Sequence, residues 1–239
     1  MRPSTNATQP VPVRTHLTVL RDSTTSSSLT VFCGAQERSV PLSRCETCGF
    51  GGSVTNDPKG RIATVACSRF TVPSVPPPNE SGTSLRGESH HAGGFTKLAA
   101  SLPVGLVLTR ATTSIRFDVP IEVATRVLAT EPSAFGVPVV DEAGRFVGLL
   151  ARAAVALAFP DLDGTRETVA GRMASPTCAI DERTSLDMAF ASMVSRRARE
   201  LTVIGENREV VGTLRDIDAL RFVACVSRTG LRPPKEYAA

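Results

Sequence analysis

The second half of the chain carries one pattern of apolar and polar positions twice. Residues 137–150 hold an apolar run, a polar turn and a second apolar run, and residues 201–214 repeat this order 64 positions later without a gap. Upstream the spacing becomes 65 positions, so that Ile115 aligns with Ile180. Self-similarity at a fixed offset indicates a structural unit that the chain contains in two copies.

Each copy predicts the order strand, helix, strand, strand, helix. In the first copy, the apolar residues within 121–129 stand three or four positions apart, which is helical spacing. Asp118 and Pro120 are typical of a helix start. Residues 141–144 form a turn sequence between two runs that are rich in β-branched residues. The sequence therefore predicts an α+β fold built on a tandem β-α-β-β-α repeat.

The two copies resemble CBS domains, named after cystathionine β-synthase. The hairpin and second helix of that family are similar to GVPVVDEAGRFVGLLAR in the first copy and to ELTVIGENREVVGTLRDIDAL in the second. The segments VLTRATTSIRFD and RMASPTCAID resemble the stretch that leads into each domain. This resemblance covers about half of the chain. It implies a Bateman-like paired module whose copies pack through their sheets, often dimerise, and in many members bind adenosyl nucleotides in the clefts between the copies.

The resemblance locates a possible nucleotide site in the segment after the second hairpin. It assigns four residues to that site: Gly212, Thr213, Arg215 and Asp218. Asp218 matches the aspartate that holds the ribose hydroxyls in nucleotide-binding members, whereas Arg215 replaces the hydroxyl residue that holds phosphate. The first copy has Ala151 and Ala154 at these two positions. We therefore expect at most one adenosine nucleotide per chain, and the alternative is that Asp218 is a helix-surface carboxylate paired with Arg215 or Arg221.

Four cysteines in the first half of the chain have the spacing of a candidate metal site: Cys33, Cys45, Cys48 and Cys67. Cys45 and Cys48 form a CxxC turn, and a single cysteine ends each of two apolar strand candidates. Four thiolates suit a tetrahedral Zn²⁺, and a segment with little apolar mass gains stability from such a staple. An iron–sulfur cluster, a redox CxxC, two disulfides and buried free thiols are the alternatives. Disulfides fit poorly with a chain start that lacks an apolar signal core.

These features divide the chain into six parts. We expect a disordered lead-in at 1–13, a β-rich, four-cysteine zinc-ribbon-like domain at 14–70, a flexible Pro/Gly/Ser linker at 71–103, CBS-like copies at 104–165 and 166–226, and a flexible tail at 227–239. The linker assignment rests on its Pro, Gly and Ser content and on its few large apolar residues. The metal-binding segment and the repeat are thus expected to be separate domains.

Composition argues against several functions. The net charge of +4 lies entirely within residues 1–103 and is spread out, so a mildly basic surface is favoured over nucleic-acid binding. No apolar run approaches the roughly 20 residues that cross a bilayer, and the polar chain start favours a cytoplasmic protein. The sequence has no P-loop, GxGxxG or HExxH motif. Its three histidines, His16, His90 and His91, lie outside the repeat, so we expect no enzymatic activity.

The sequence predicts a non-enzymatic regulatory or sensory module. A structural zinc head would precede a CBS-like pair that mediates homodimerisation and weakly senses an adenosine nucleotide. The predicted helix over 185–194 has more apolar residues than one buried stripe requires, among them Met188, Phe190 and Met193. This surplus favours a partner surface. The alternatives are a protein-interaction scaffold without a ligand and a zinc-containing regulator associated with nucleic acid.

Overall fold

An N-terminal head precedes two copies of one α/β unit. A computed structural model describes residues 9–59, 61–69, 102–108, 111–130, 134–156, 167–176 and 178–229. The head, residues 9–69, contains β1 (Gln9–Val19), β2 (Thr25–Cys33), β3 (Arg38–Pro41), α1 (Leu42–Glu46), β4 (Gly51–Asn56) and β5 (Ile62–Cys67). Copy 1 contains β6 (Ala111–Arg116), α2 (Ile121–Thr130), β7 (Gly136–Val140), β8 (Phe146–Ala151) and α3 (Arg152–Ala156). Copy 2 contains β9 (Ala179–Asp181), α4 (Leu186–Arg196), β10 (Glu200–Ile204), β11 (Val210–Arg215) and α5 (Asp216–Thr229).

The order of elements predicted for the repeat is confirmed in both copies. The first hairpin turns where the sequence predicted, since Gly144 adopts a positive φ of 77° that favours glycine. The Asp141 carboxylate accepts the backbone N–H groups of Ala143 and Arg145 at 2.9 and 2.8 Å, which fixes this turn. None of the helices in the described ranges is both long enough and apolar enough to cross a membrane.

The head shares a sheet with copy 1. Its strand β1 is antiparallel to β2 and parallel to β6, with Thr15 opposite Ala111 and Val19 opposite Ile115. The eight-stranded sheet has the path β3-β2-β1-β6-β7-β8, and β4 and β5 join it through the pairing of β5 with β1. Copy 2 has a three-stranded sheet with the order β11-β10-β9. The four-cysteine segment is therefore continuous with copy 1, which corrects the expectation of a separate domain.

The first strand also begins earlier than the sequence suggested. Residues 9–13 were expected to belong to a disordered lead-in, but β1 begins at Gln9 and its first four residues pair with β5. Pro10 and Pro12 are two positions apart, so their missing N–H groups lie on the same edge of the strand and the other edge keeps its donors. The expected linker at 71–103 and tail at 227–239 lie mostly outside the described residues.

Each copy is preceded by a leading segment, residues 102–108 for copy 1 and 167–173 for copy 2, and each leading segment binds the opposite copy. For the first segment, Val104 N donates to Thr184 O at 2.8 Å, Gly105 N to Glu182 O at 2.9 Å, and Leu186 N donates to Leu102 O at 2.9 Å. For the second, Val169 N donates to Val119 O at 2.9 Å, Ala170 N to Phe117 O at 2.8 Å, and Ile121 N donates to Glu167 O at 3.0 Å. Every atom in one set lies 65 residues from its counterpart in the other. The copies therefore exchange their leading segments through the same three bonds.

The exchange also completes both hydrophobic cores. The leading segment of copy 1 adds four buried residues to the core of copy 2: Leu102, Val104, Val107 and Leu108. Val169 from the other leading segment is buried in the core of copy 1, and Met173 packs against that core. Because burying one aliphatic side chain contributes roughly 1.5–3 kcal/mol, separating the copies would expose a large part of each core.

The tips of the two hairpins form a second contact between the copies. Phe146 N donates to Arg208 O at 2.8 Å, and Arg145 pairs with Glu209 in an isolated antiparallel bridge. Val140, Phe146 and Val210 form a small buried cluster at this contact. The two sheets are thus joined at their turns as well as through their leading segments.

Two glycines at equivalent positions allow the leading segments to approach the hairpins. A Cβ atom at Gly148 would lie 2.5 Å from Ala174 O, and one at Gly212 would lie 2.9 Å from the Leu108 side chain. Ala174 also exchanges two backbone hydrogen bonds with Leu149, at 2.8 and 3.1 Å. The glycine of each copy is therefore required by the segment that arrives from the other copy.

Gly148→Ala should destabilise the protein by about 1–3 kcal/mol, because the new methyl group meets a backbone oxygen that cannot move without breaking the Leu149–Ala174 bonds. Urea denaturation followed by circular dichroism measures this change. Gly49→Ala is the matched control, because a Cβ there has no neighbour within 4 Å. Equal stability of both variants would contradict the close packing of the leading segment.

Candidate functional site

The four residues assigned to a nucleotide site lie together at the junction of β11 and α5. Gly212, Thr213 and Arg215 belong to β11, and Asp218 lies in the first turn of α5. Arg215 Nε donates to Asp218 Oδ2 at 2.6 Å, and the Asp218 side chain is only 9% exposed against 29% for Arg215. The structure therefore shows one of the two pairings that the sequence left open for Asp218. A ribose could reach this carboxylate only by sharing it with Arg215 or by displacing the arginine.

A second ion pair borders the first. Arg199 Nε donates to Asp216 Oδ2 at 3.1 Å, and the Asp216 backbone N–H donates to Arg199 O at 3.1 Å. Glu200, the residue after Arg199, lies opposite Arg215 in the pairing of β10 with β11. The two arginines thus place two cations beside the first turn of α5.

Phe135 of copy 1 belongs to the same surface and was missed by the sequence analysis. Its ring is 51% exposed and lies 5.7 Å from the Arg199 guanidinium, and its backbone N–H donates to Glu200 Oε2 at 3.2 Å. Phe135 precedes its hairpin at the position that Arg199 occupies in copy 2, but the alignment gave no signal that the two residues meet. An aromatic face beside two arginines suits a flat, anionic ligand.

The helix terminus itself carries negative charge. Asp216 and Asp218 occupy the first turn of α5, where backbone N–H groups would otherwise attract an anion. Arg199 and Arg215 offset these carboxylates through the two ion pairs. A phosphate at this junction would therefore depend on the arginine side chains more than on the helix dipole.

The four cysteines assigned to a metal site meet at one corner of the head. Cys33 ends β2, Cys45 lies in α1, Cys48 lies in the following turn, and Cys67 ends β5. Gly51 links three of them: it pairs with Cys67 across the sheet, its N–H donates to Cys48 O at 2.9 Å, and a Cβ on it would overlap Cys45 O. This close approach explains why position 51, three residues after the CxxC, is a glycine.

The thiols are neighbours, but the structure does not arrange them as a coordination sphere. Burial raises the pKa of Cys45, and the nearby Cys33, Cys48 and Cys67 raise it further. All four are free thiols; Cys48 is exposed and the other three are half-buried. Among the residues that the structure describes, no group of three or more His, Cys, Asp or Glu side chains has the geometry of a metal site. The fold thus brings the four predicted ligands near one another, but their side chains do not have the geometry of a metal site among the described residues.

Comparison with known proteins finds solved CBS domain pairs that are similar to this chain. A CBS domain pair in complex with 5-methylthioadenosine and S-adenosyl-L-methionine is 22% identical, with 52% of this chain and 97% of that chain covered and a TM-score of 0.44. CBSX2 in complex with AMP is 20% identical, with coverages of 54% and 100% and a TM-score of 0.47. The CBS domains of a transcriptional regulator from Streptococcus pneumoniae are 13% identical, with coverages of 50% and 98% and a TM-score of 0.44.

No family model matches this chain, and no curated protein matches it. The solved structures named above share low identity and TM-scores below 0.5 with this chain, so they do not decide what it binds. The function must therefore be argued from the residues at the β11–α5 junction and in the head.

Proposed function

We propose that the chain is a non-enzymatic regulatory module of the CBS type that binds one adenosine nucleotide at residues 212–218. The observation that carries this proposal is the Arg215–Asp218 pair, which joins a cation and a nearly buried carboxylate beside the leading segment of copy 1. Copy 1 has Ala151 and Ala154 at the equivalent positions and offers neither charge. A nucleotide supplies both a partner for the carboxylate, its ribose hydroxyls, and a partner for the guanidinium, its phosphate.

In the proposed complex, Asp218 accepts hydrogen bonds from the ribose and Arg215 turns to the phosphate. The planar guanidinium binds two phosphate oxygens at once, which a hydroxyl residue does not. Separating the existing 2.6 Å pair uses part of the binding free energy. Weak binding is expected for this reason, together with a preference for phosphorylated adenosine over adenosine itself.

Isothermal titration with AMP, ADP and ATP should give one site per chain. Asp218→Ala should lower the affinity roughly ten- to hundredfold, because the ribose loses a charged acceptor. Asp187→Ala is the matched control, since Asp187 is also an acidic residue in a first helical turn but lies on α4. Ala154→Asp alone should change little, because copy 1 also lacks the arginine.

Other outcomes of this titration are equally informative. Two equal sites per chain, or full affinity in Asp218→Ala, would contradict the location of the site. Absence of heat with every nucleotide would instead favour an interaction scaffold, in which the Arg215–Asp218 pair is a permanent structural contact.

The proposed absence of catalysis is supported by the environment of His16. This residue is the histidine that lies within the described ranges, and its Nε2 is 2.9 Å from Ser114 Oγ between β1 and β6. Burial lowers the pKa of His16, and its ring is held in the sheet by the hydrogen bond to Ser114. We propose that the module acts in the cytoplasm by binding rather than by chemistry.

We further propose that the chain forms a homodimer through helices of copy 2. The surplus apolar residues differ from those expected from the sequence: Met193 is 4% exposed in the core and Phe190 packs against it, whereas Met188 is 61% exposed. Val194 on α4 is also exposed, and α5 adds exposed Ile217 and Leu220. Apolar side chains on two neighbouring helices form a surface that a second copy would cover.

Light scattering at tens of micromolar should give the mass of a dimer for the unaltered protein. Val194→Glu should shift the mass towards a monomer, because a charge would be buried in the contact. Ala143→Glu, in the exposed turn of copy 1, is the control and should leave the mass unchanged. A monomer of the unaltered protein would rule out this dimer.

The head is proposed to bind one structural Zn²⁺ through Cys33, Cys45, Cys48 and Cys67. Cys45, Cys48 and Cys67 all adjoin Gly51. Cys33 lies close enough to Cys45 to raise the pKa of its thiol. Neutral thiols do not attract one another, whereas a cation gathers thiolates around itself and displaces their protons. The coordination sphere would therefore close only when the metal binds, and zinc uptake should release protons.

Elemental analysis of the reduced protein should find about one equivalent of zinc, as expected for one four-thiolate site. Cys48→Ser should lose the metal, because serine is a poor ligand for Zn²⁺ at neutral pH. Cys178→Ser is the matched control and should retain it, since Cys178 belongs to copy 2. Reduced wild-type protein without metal would refute the zinc site.

A further inference from the structure

Strand β1, which joins the head to copy 1, contains a buried arginine on the side that faces copy 2. Arg14 of β1 is 3% exposed, and its Nη2 donates to Gly105 O in the leading segment. Its Nε and Nη1 are buried and have no hydrogen-bond partner among the described residues. Burial lowers the pKa of Arg14 to about 10, and attraction to Glu182 of copy 2 opposes this shift. Glu182 therefore stabilises the positive charge of Arg14.

Glu182 is bound by the head as well. It is 2% exposed, its carboxylate accepts the Ser39 N–H at 2.8 Å, and it accepts the Ser39 hydroxyl at 2.6 Å. Burial raises the pKa of Glu182, while the Ser39 hydrogen bonds and Arg14 act in the opposite direction. Strand β3 of the head thus holds this carboxylate directly, while β1 holds the leading segment, through Arg14 and Gly105 O, whose Gly105 N–H donates to Glu182 O.

The internal repeat supplies a comparison for this contact. The position of Glu182 is occupied in copy 1 by Phe117, and that of Gly105 by Ala170. Both copies make the same backbone bond at this point, Gly105 N to Glu182 O and Ala170 N to Phe117 O. The exchange of leading segments therefore requires neither a buried glutamate nor a glycine.

The head accounts for both differences. A Cβ at Gly105 would overlap the ring of Phe32, a buried head residue, whereas Ala170 is exposed. Glu182 binds Ser39 of the head, whereas Phe117 packs against the core of copy 1. Glu182 and Gly105 thus form a docking site for the head. Glu182 accepts hydrogen bonds from Ser39, and Gly105 leaves room for the Phe32 ring.

The head consequently bridges the two copies. It is bonded to copy 1 through the β1–β6 pairing and to copy 2 through Glu182, and an exposed ion pair between Arg38 and Glu206 adds to the second contact. The leading segment that Arg14 holds also carries Leu108, which packs on Gly212 at the start of the proposed nucleotide segment. A change in the contact between the copies must therefore move the head or break its hydrogen bonds to Glu182 and to Gly105 O.

We propose that the docking of the head, through Ser39 on Glu182 of copy 2 and through Arg14 on the leading segment at Gly105 O, couples the cysteine cluster of the head to the contact between the two copies. The cysteines then respond to a ligand of the CBS-like pair without touching it. The ligand part of this inference rests on the proposed nucleotide site, whereas the docking part does not. Cys45 and Cys67 report on the head, because both are half-buried against the core that contains Phe32.

The test measures alkylation rates of individual cysteines by iodoacetamide and peptide mass spectrometry on the reduced full chain, freed of metal with a chelator so that the rates report on the head and not on bound zinc. Glu182→Gln should speed alkylation of Cys45 and Cys67 roughly ten- to hundredfold, because Arg14 loses its counter-charge and the head opens. Glu206→Gln is the matched control, as it removes the exposed carboxylate that faces the head, and should change these rates by less than about twofold. Cys178 in copy 2 should react at the same rate in all variants.

A second pair of substitutions guards against a general loss of folding. Arg14→Met combined with Glu182→Leu removes both buried charges together, and the protein should remain folded because neither buried charge is left without the other. Its head cysteines should still react faster than in the wild type, since Ser39 has lost its acceptor. Wild-type alkylation rates in both Glu182→Gln and this double variant would overturn the docking proposal.

The ligand part is tested with AMP in the same assay. AMP should slow alkylation of Cys45 and Cys67 in the wild type and have less effect in Glu182→Gln. Calorimetric heat with AMP but unchanged alkylation would overturn the coupling while leaving the nucleotide site intact. Fast alkylation in Glu182→Gln without any AMP heat would instead reject the nucleotide site and keep the docking of the head.

Discussion

The exchange of leading segments between the two copies is the constraint on which the rest of the structure depends. Three backbone hydrogen bonds fix each segment on the opposite copy, and they recur 65 residues apart. Because the segments also fill the opposite cores, neither copy has a complete interior alone. Gly148 and Gly212 follow from this arrangement, since any side chain there would push the arriving segment away from the hairpin.

The two copies share a backbone plan but differ wherever the head or a charged site is present. Strand β6 of copy 1 pairs with β1 of the head, and Glu182 of copy 2 accepts hydrogen bonds from Ser39 of the head. Copy 2 also has the arginine and aspartate of the β11–α5 junction, where copy 1 has alanines. Duplication thus supplied a symmetric frame, and substitutions at a few positions gave each copy a different neighbour.

The repeat and its hairpins could be predicted because their signals are local or periodic. Leu108 and Met173, which stand 65 residues apart, both pack in the exchanged segments. The parallel pairing of β1 with β6 could not be predicted, since it joins residues nearly a hundred positions apart and leaves no local pattern. The burial of Arg14 could not be predicted for another reason. A charged residue in an alternating strand suggests that its side of the strand faces solvent, whereas in the structure that side faces copy 2. At the candidate nucleotide site, the residue types indicated Arg215 and Asp218. The folded structure shows that the two bind each other.

The parallel pairing of β1 with β6 has a consequence for synthesis of the chain. Thr15 leaves the ribosome long before Ala111, so the head waits with one edge of β1 unpaired until copy 1 has been made. Contacts of this sequence separation slow folding, because a long loop must close before they form. An unpaired edge meanwhile invites pairing with other chains.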